Sequence, residues 1–499
     1  MPPAGGPGRH HRGGGGGGLS LSLSPPAGGV SSPRLRWRPS REGARPPWAF
    51  AVRGPGRGRA GRAAPWRRRR LVWLGGGLFQ AAWVAWAVLR RGRSGGGAGL
   101  RVAAVCADTG SCNALKPVLE EGLRDGAKVA LHLTGATAKL FCAGRYALDP
   151  RIAVWLAPDA EPSAICARKG ARVPVREFGR RREWDVLVAS ASASVAGTQA
   201  AAASLCVARS KKLSFLVQDM YGTSHRTLRE VLRTCPERAG TFITFVGNDL
   251  TGRLIGEQVP GYAWAVVVNG APQFDAAFRR RATFLAERAS VRRKLGLRAG
   301  DVLVFLVGQP HGADELCQMA VAATAGRPRA RVLVRLHPRA EPAARAAVET
   351  FRSERPDLFF DKAHSSALFK SSEEILPGAD VVVSGHSTTG DFAILLGMPG
   401  VVYSQTAAFL SVLAREKGVR AQPQVEAGAA FAMRTAADLA RVVDAIGEWA
   451  SAVDGHGVAR VAPAMVRDPA LRAVLEAQQK WSSKDDGKAA ARSWAMIQG

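Results

Sequence analysis

Polar side chains follow several apolar runs of this sequence, at points where an apolar run gives way to a helical pattern. The clearest case is "SGHSTTGDF", Ser384–Phe392. If Asp391 lies in the first turn of a helix, Ser387 and Thr388 sit at its N-terminus, where free backbone N–H groups and the helix dipole attract phosphate. Asp391 then either accepts hydrogen bonds from the sugar hydroxyls of a nucleotide or favours the helix start. An ordinary capped helix is the alternative, because Ser, Thr and Asp are common N-cap residues.

Two further loops carry side chains that suit an anion. "VLVRLHPR" places His337 at the end of an apolar run, with Arg335 and Arg339 beside it. This set suits a diphosphate, and solvated surface charge is the alternative for the two arginines. "FLVGQP" places Gly308 and Gln309 after another apolar run. Gln309 either binds a base or phosphate or closes a turn.

The elements that must position these loops form a repeating pattern. From residue 101 onward, short Val/Ile/Leu runs alternate with helix-forming stretches. Such runs suit parallel strands covered on both faces, and their alternation with helices is typical of βαβ units. The runs are too many for one sheet, and a break falls at Val266–Asp275. We therefore predict an α/β protein with two Rossmann-like, doubly wound domains, at 101–268 and 269–445, followed by C-terminal helices and a polar tail at 446–499.

The excess of positive charge is concentrated near the start of the chain. The formal net charge is +30, and residues 1–100 contain 18 Arg, no Lys and one acidic residue, Glu42. The Gly/Pro/Arg-rich stretch 1–70 cannot bury enough apolar surface to offset its chain entropy, so we expect a disordered leader. It resembles an organellar transit peptide, a weak RNA-binding segment or an extension without function, and these alternatives stay open.

A candidate membrane anchor follows this leader. Leu71–Leu89 contains no charged residue and lies between arginine clusters. About 20 apolar residues span a bilayer. The segment therefore predicts a single transmembrane helix and a membrane-associated protein, with an organellar or cytoplasmic location as the alternative. Because positive charge lies on both sides, its orientation and organelle are not predicted.

Cysteine spacing gives no indication of a metal site. None of the seven cysteines forms a CxxC pair or a Cys/His cluster with zinc spacing, and we predict buried thiols. No DxD-type metal motif is evident either. We therefore expect no cofactor and a metal-independent mechanism.

The series "VGQP", "LHPR" and "ADVVVSGHSTTGDFAILLGMPGVVY" resembles the C-terminal domain of the B-type-fold glycosyltransferase superfamily. This group includes nonhydrolysing UDP-N-acetylglucosamine 2-epimerases and CDP-glycerol glycerophosphotransferases. The resemblance implies two domains that face each other across a cleft, with the nucleotide diphosphate held by the second. It implies that Ser387, Thr388 and Asp391 hold phosphate and ribose and that His337 contacts the diphosphate.

The chain departs from both subfamilies. The epimerases carry "DSGGxxEE" where this chain has "GHSTTGDF", and an "HG-acid-T" motif where it has "YGTSHR". The glycerophosphotransferases carry "DYSS" where it has "SGHS". The sequence therefore predicts a glycosyltransferase that uses a nucleotide-activated sugar and a glycan or lipid acceptor. An epimerase, a polyol-phosphate transferase and a non-catalytic scaffold with a basic leader are the alternatives, and nucleic acid is not the expected partner.

Transfer of a sugar to a hydroxyl group benefits from a general base, which should come from the first domain across the cleft. The candidates are Asp108 in "CADTGSCN", Asp219 in "VQDMYG" and His225 in "GTSHR". We favour Asp219 or His225, because Asp108 suits the cap of the helix that follows it.

Overall fold

The computed structural model describes residues 99–134, 137–138, 149–158, 171–191, 194–210, 213–218, 224–238, 240–337, 339–452 and 466–499. The predicted leader and the predicted anchor lie outside these ranges, as do Asp219, Cys142 and Cys166. Within them, no helix has both the length and the apolar character needed to cross a membrane.

The first sheet comprises eight described strands, which all run parallel. Its spatial order is β4-β3-β2-β1-β5-β6-β7-β8. The strands are β1 Arg101–Cys106, β2 Lys128–Leu133, β3 Ile152–Leu156, β4 Ala171–Arg172, β5 Val186–Ser190, β6 Ser214–Val217, β7 Phe242–Val246 and β8 Val266–Val268. The helices among them are α1 Thr109–Arg124, α2 Val175–Arg180, α3 Val195–Val207, α4 Ser224–Thr234 and α5 Asp249–Gln258. The prediction of an α/β fold with parallel strands is confirmed.

The second sheet has five parallel strands in the described ranges, in the order β10-β9-β11-β12-β13. The strands are β9 Val302–Val307, β10 Ala330–Arg335, β11 Val381–Ser384, β12 Gly400–Ser404 and β13 Phe431–Met433. The described α-helices around it are α6 Asp275–Arg280, α7 Phe284–Lys294, α8 Ala313–Thr324, α9 Pro342–Glu354, α10 Lys362–Leu368, α11 Ser372–Ile375, α12 Thr388–Leu395, α13 Ala407–Lys417, α14 Pro423–Glu426 and α15 Ala436–Ala452.

Helices cover both faces of the second sheet. Leu316 of α8 and Leu439 of α15 belong to one buried cluster, whereas Phe284 and Ile394 belong to another. The strand order reverses between β9 and β11, and in the first sheet between β1 and β5. In open α/β sheets, ligands bind beyond the carboxyl ends of the strands at such reversals.

A buried ion cluster holds β11 in place at the opposite, amino edge of the second sheet. Asp380 is fully buried just before β11, and its carboxylate accepts hydrogen bonds from Arg288 and Arg292. Leu303 N of β9 donates to the same carboxylate at 2.8 Å. Because the two arginines lie on α7, this cluster fixes the helix, β9 and β11 relative to one another.

The C-terminal segment contacts both sheets. Helix α16, Pro469–Trp481, reaches the second sheet, where Gln478 Nε2 donates to Met398 O at 2.8 Å. Helix α17, Ala489–Gln498, reaches the first, where Trp494 Nε1 donates to Asp125 Oδ2 at 2.7 Å. The predicted domain boundaries stay a prediction.

The described cysteines are all free thiols. Cys106, Cys112 and Cys317 are buried, whereas Cys206 and Cys235 are half-buried. Burial raises the pKa of Cys317 to about 12. The prediction of buried thiols therefore holds for three of these five side chains and is wrong for two, because Cys206 lies near the C-terminal end of α3 and Cys235 just after α4.

Candidate active site

The loop after β11 forms a capped helix N-terminus. Ser387 is the N-cap of α12, and its Oγ accepts a hydrogen bond from Thr389 N at 3.2 Å. Ser387 N in turn donates to Ser384 Oγ at 2.9 Å, which closes the turn between the strand and the helix. Ser387 and Thr388 are half-buried. The N-cap interpretation of Ser387 is therefore correct, and the same geometry turns the first N–H groups of α12 toward the carboxyl edge of the sheet.

Asp391 is directed into the protein. Its side chain is 5% exposed, and Oδ1 accepts hydrogen bonds from Gln424 Nε2 at 2.6 Å and from Tyr403 OH at 3.4 Å. Tyr403 is fully buried, and a Cβ at Gly390 would lie 2.3 Å from its hydroxyl oxygen. Burial and the Asp391 carboxylate raise the pKa of Tyr403 well above its usual value. Asp391 therefore links α12 to β12 and α14, and its predicted contact with ribose stays a prediction.

Phe409 fills the crevice between β9 and β11. The ring, from α13, is 3% exposed. A Cβ at Gly385 would lie 2.2 Å from Phe409 Cε1, and a Cβ at Gly312 would lie 2.7 Å from Phe409 Cζ. Both glycines are therefore needed for the ring to enter. Sequence analysis missed Phe409, although glycine in two loops at a strand-order reversal is a signal that a bulky group approaches the backbone there.

His337 lies after β10 with one ring nitrogen engaged. Arg339 N donates to His337 Nδ1 at 3.0 Å. Partial burial, and then the charges of Arg339 and Arg345, hold the pKa of His337 below its usual value. The ring is therefore neutral at pH 7, with its proton on Nε2. No described residue forms a hydrogen bond with Nε2, so this N–H can donate to an oxygen of a bound anion.

Arg335 is used to anchor a neighbouring helix. Its guanidinium donates to Phe369 O at 3.1 Å and also to Lys370 O, just beyond α10. Gly308 N donates to Arg335 O at 2.8 Å, and a Cβ at Gly308 would lie 2.9 Å from Leu336 Cα. Gly308 therefore lets β9 and β10 stay close beyond their last paired residues. The predicted contact of Arg335 with a diphosphate stays a prediction.

The three loops of the second sheet lie side by side, because β10, β9 and β11 are neighbours in that order. His337, Gln309 and Ser387 are therefore brought to one edge. Gln309 is buried, and its Cγ would lie 3.0 Å from a Cβ at Gly385. The edge thus offers a helix N-terminus and a neutral imidazole N–H.

Asp108 has both carboxylate oxygens engaged at the first sheet. It is the N-cap of α1, where Oδ1 accepts from Ser111 N at 2.9 Å. Ser194 Oγ, at the N-cap of α3, donates to Asp108 Oδ2 at 2.6 Å. The bond joins the loops after β1 and β5 at the strand-order reversal. The capping interpretation of Asp108 is therefore correct, and its catalytic role stays a prediction.

His225 lies in α4 and is 1% exposed. A Cβ at Gly418 would lie 3.0 Å from His225 Nε2. Gly418 is the C-cap of α13, the helix that carries Phe409, and it has a φ of 68° that favours glycine. His225 therefore contacts a helix of the second sheet. Asp219, the other favoured base, lies outside the described residues.

Metal ligands do not cluster in the described ranges, where no group of three or more His, Cys, Asp or Glu side chains could hold a metal ion.

No protein-family model and no curated protein sequence matches the chain. Several solved structures are similar to it. A protein from Listeria monocytogenes described as a UDP-N-acetylglucosamine 2-epimerase has 12% identity and a TM-score of 0.48, over 80% of this chain and 96% of that one. Anabaena HepE in complex with UDP-glucose has 13% identity and a TM-score of 0.47, over 79% and 98%. The calicheamicin glycosyltransferase CalG4 has 12% identity and a TM-score of 0.42, over 79% and 97%.

By their names, the similar proteins include an epimerase of a nucleotide sugar, a protein that binds UDP-glucose and a glycosyltransferase.

Proposed function

We propose that the protein is a glycosyltransferase that takes a sugar from a nucleotide diphosphate donor bound at the carboxyl edge of the second sheet. The observation that carries the proposal is that the α12 N-terminus and the neutral His337 lie at one edge of the sheet, on the loops that flank the loop after β9. Both are hydrogen-bond donors, and donors directed at a leaving diphosphate stabilise the charge that develops on it.

The reaction joins a hydroxyl oxygen of the acceptor to the anomeric carbon of the donor sugar. The bond from that carbon to the phosphate oxygen breaks, and its electron pair leaves with the nucleoside diphosphate. The acceptor proton passes to a base of the first sheet. In this scheme, the N–H groups of α12 and Nε2–H of His337 contact the departing diphosphate.

The first experiment measures the thermal stability of the full chain with a panel of UDP-, CDP-, GDP- and TDP-sugars. A donor at 100 times its dissociation constant adds about 2.7 kcal/mol to the free energy of unfolding. We expect one nucleotide to stabilise the protein. His337→Asn keeps an acceptor for Arg339 N but removes the Nε2–H donor, so it should weaken that stabilisation. His337→Gln should retain part of the stabilisation.

His364→Asn is the matched control, because His364 is an exposed histidine on α10 whose backbone N, and not its ring, makes the local bond to Asp361. Stabilisation that His337→Asn leaves unchanged would contradict the proposed site. No stabilisation by any donor would favour the non-catalytic scaffold. Product analysis with the stabilising donor separates sugar transfer from 2-epimerisation and from transfer of a polyol phosphate.

A further inference from the structure

Four of the five described cysteines lie in two pairs whose thiols contact each other. Cys106 forms a hydrogen bond with Cys112, and Cys206 forms one with Cys235. The two pairs differ in exposure. Cys106 and Cys112 are 0% and 3% exposed, whereas Cys206 and Cys235 are half-buried. A small reagent in solution therefore reaches the second pair far more readily than the first.

The packing of two helices holds the second pair together. Cys206 is the last but one residue of α3, and Cys235 directly follows α4. Leu205 of α3 and Val231 of α4 belong to one buried cluster, and Cys206 packs against it. Arg238 Nε donates to Leu205 O at 3.2 Å, and Arg238 N donates to Cys235 O at 2.9 Å. The contact between the two thiols is therefore fixed by the fold itself.

The pair lies at the amino edge of the first sheet, because α3 leads into β6 and α4 leads into β7. Ligands of open α/β sheets bind at the opposite, carboxyl edge. Cys206 and Cys235 are 29 positions apart, so a bond between them would close a loop that contains β6 and α4. Such a bond stabilises a fold mainly by restricting the unfolded chain. The pair is thus placed to change stability rather than ligand binding.

We propose that Cys206 and Cys235 are a redox-sensitive modification site, at which glutathione disulfide produces a disulfide that joins α3 to α4. The Cys235 thiolate attacks one sulfur of glutathione disulfide, whose S–S bond breaks and releases one glutathione. The Cys206 thiolate then attacks the Cys235 sulfur of the mixed disulfide and releases the second glutathione. The protein loses two protons and two electrons, which reduce one glutathione disulfide to two glutathione thiols.

The surroundings of the two sulfurs explain the order of attack. Burial, and then the hydrogen bond with Cys235, raise the pKa of Cys206 to about 12. Cys206 is therefore protonated at pH 7, and the first attack belongs to Cys235. Once Cys235 carries glutathione, its thiol no longer raises the pKa of Cys206. The positive charge of Arg176, on α2, lowers that pKa and so assists the Cys206 thiolate that closes the bond.

The test incubates the folded full chain with glutathione disulfide, or with dithiothreitol as the reduced reference, and then blocks free thiols with N-ethylmaleimide. The tryptic peptides 183–209 and 234–238 contain Cys206 and Cys235, respectively, and no other cysteine. Mass spectrometry should find most of both peptides linked after oxidation, and unlinked in the reference. Oxidation should also raise the midpoint of thermal unfolding by several degrees, because the cross-link restricts the unfolded chain.

Cys317→Ser is the matched control, because it removes one thiol and leaves the pair intact, so the linked peptide should persist. Cys206→Ser should abolish the linked peptide. In the oxidised wild-type chain, N-ethylmaleimide should reach Cys106 and Cys112 only after unfolding. Peptides that carry glutathione or N-ethylmaleimide but no link would overturn the inference, as would a link that forms only after the chain is unfolded in urea.

Discussion

The carboxyl edges of the two sheets carry similar residues and use them differently. At the first sheet, Asp108 and Ser194 bond to each other and cap two helices across the strand-order reversal. At the second sheet, the crevice at the strand-order reversal is filled by the Phe409 ring, which fits because Gly385 and Gly312 have no side chains. Polar side chains close one crevice, and an apolar ring closes the other. A polar residue at a strand end is therefore available to a ligand only where its neighbours leave its hydrogen bonds unmade.

The largest effect should come from emptying the second crevice. Phe409→Ala should lower the free energy of unfolding by about 3–5 kcal/mol, because it leaves a cavity where the buried ring was. Gly385→Ala should cost about 1–3 kcal/mol by forcing its Cβ into that ring. Urea unfolding of the two single variants and the double variant measures both losses.

The double variant sharpens this comparison. If the ring alone explains the need for glycine, Gly385→Ala should cost less when residue 409 is alanine, so the two losses should not add. Losses that add within about 0.5 kcal/mol would show that Gly385 is required for another reason.

A smaller effect should distinguish two carboxylates at the sheet edges, the buried Asp391 and the half-buried Asp108. Asp391→Ala leaves Gln424 Nε2 without its acceptor and leaves Tyr403 OH with only its 3.5 Å bond to Ser387 O, so it should cost about 1–3 kcal/mol. Asp108→Ala removes a helix cap and should cost about 1 kcal/mol. Thermal unfolding compares them, and Asp391→Asn, which keeps an oxygen for Gln424, should lose less than Asp391→Ala. A larger loss for Asp108→Ala would reverse the comparison.

The smallest effect concerns pH. Burial and two arginines hold the pKa of His337 below its usual value, and the negative charge of a bound diphosphate would raise it. A proton therefore binds more tightly to the complex than to the free protein, so donor affinity should rise as the pH falls from 7.5 through about 6.5. Calorimetric titration with an intact nucleotide sugar should show a change of less than about tenfold.

His337→Asn supplies the control for this pH dependence, because it removes the titrating ring. Its donor affinity should be flat over the same pH range. A wild-type affinity that falls as the pH is lowered would contradict the sign of this linkage.

Local sequence was enough to predict the α/β class, the parallel strands and the loops that gather at the second sheet. Strands such as β9 and β11 are buried on both faces, so their sequences are continuous apolar runs, and such runs by themselves indicate parallel strands. The cap at Ser387 was also predictable, because its bonds involve residues within three positions along the chain. Phe409 could not be identified as the residue that fills the crevice, because the ring comes from a different helix.

The sequence by itself determined which residue types stand at the strand ends, since apolar periodicity places the strands and the polar residues follow them. Only the tertiary structure decided which of those side chains is already bonded. Asp391 meets Gln424 from 33 positions away, and Asp108 meets Ser194 from 86. A hydrogen bond forms wherever packing brings a donor and an acceptor within about 3 Å, and such packing depends on the whole chain.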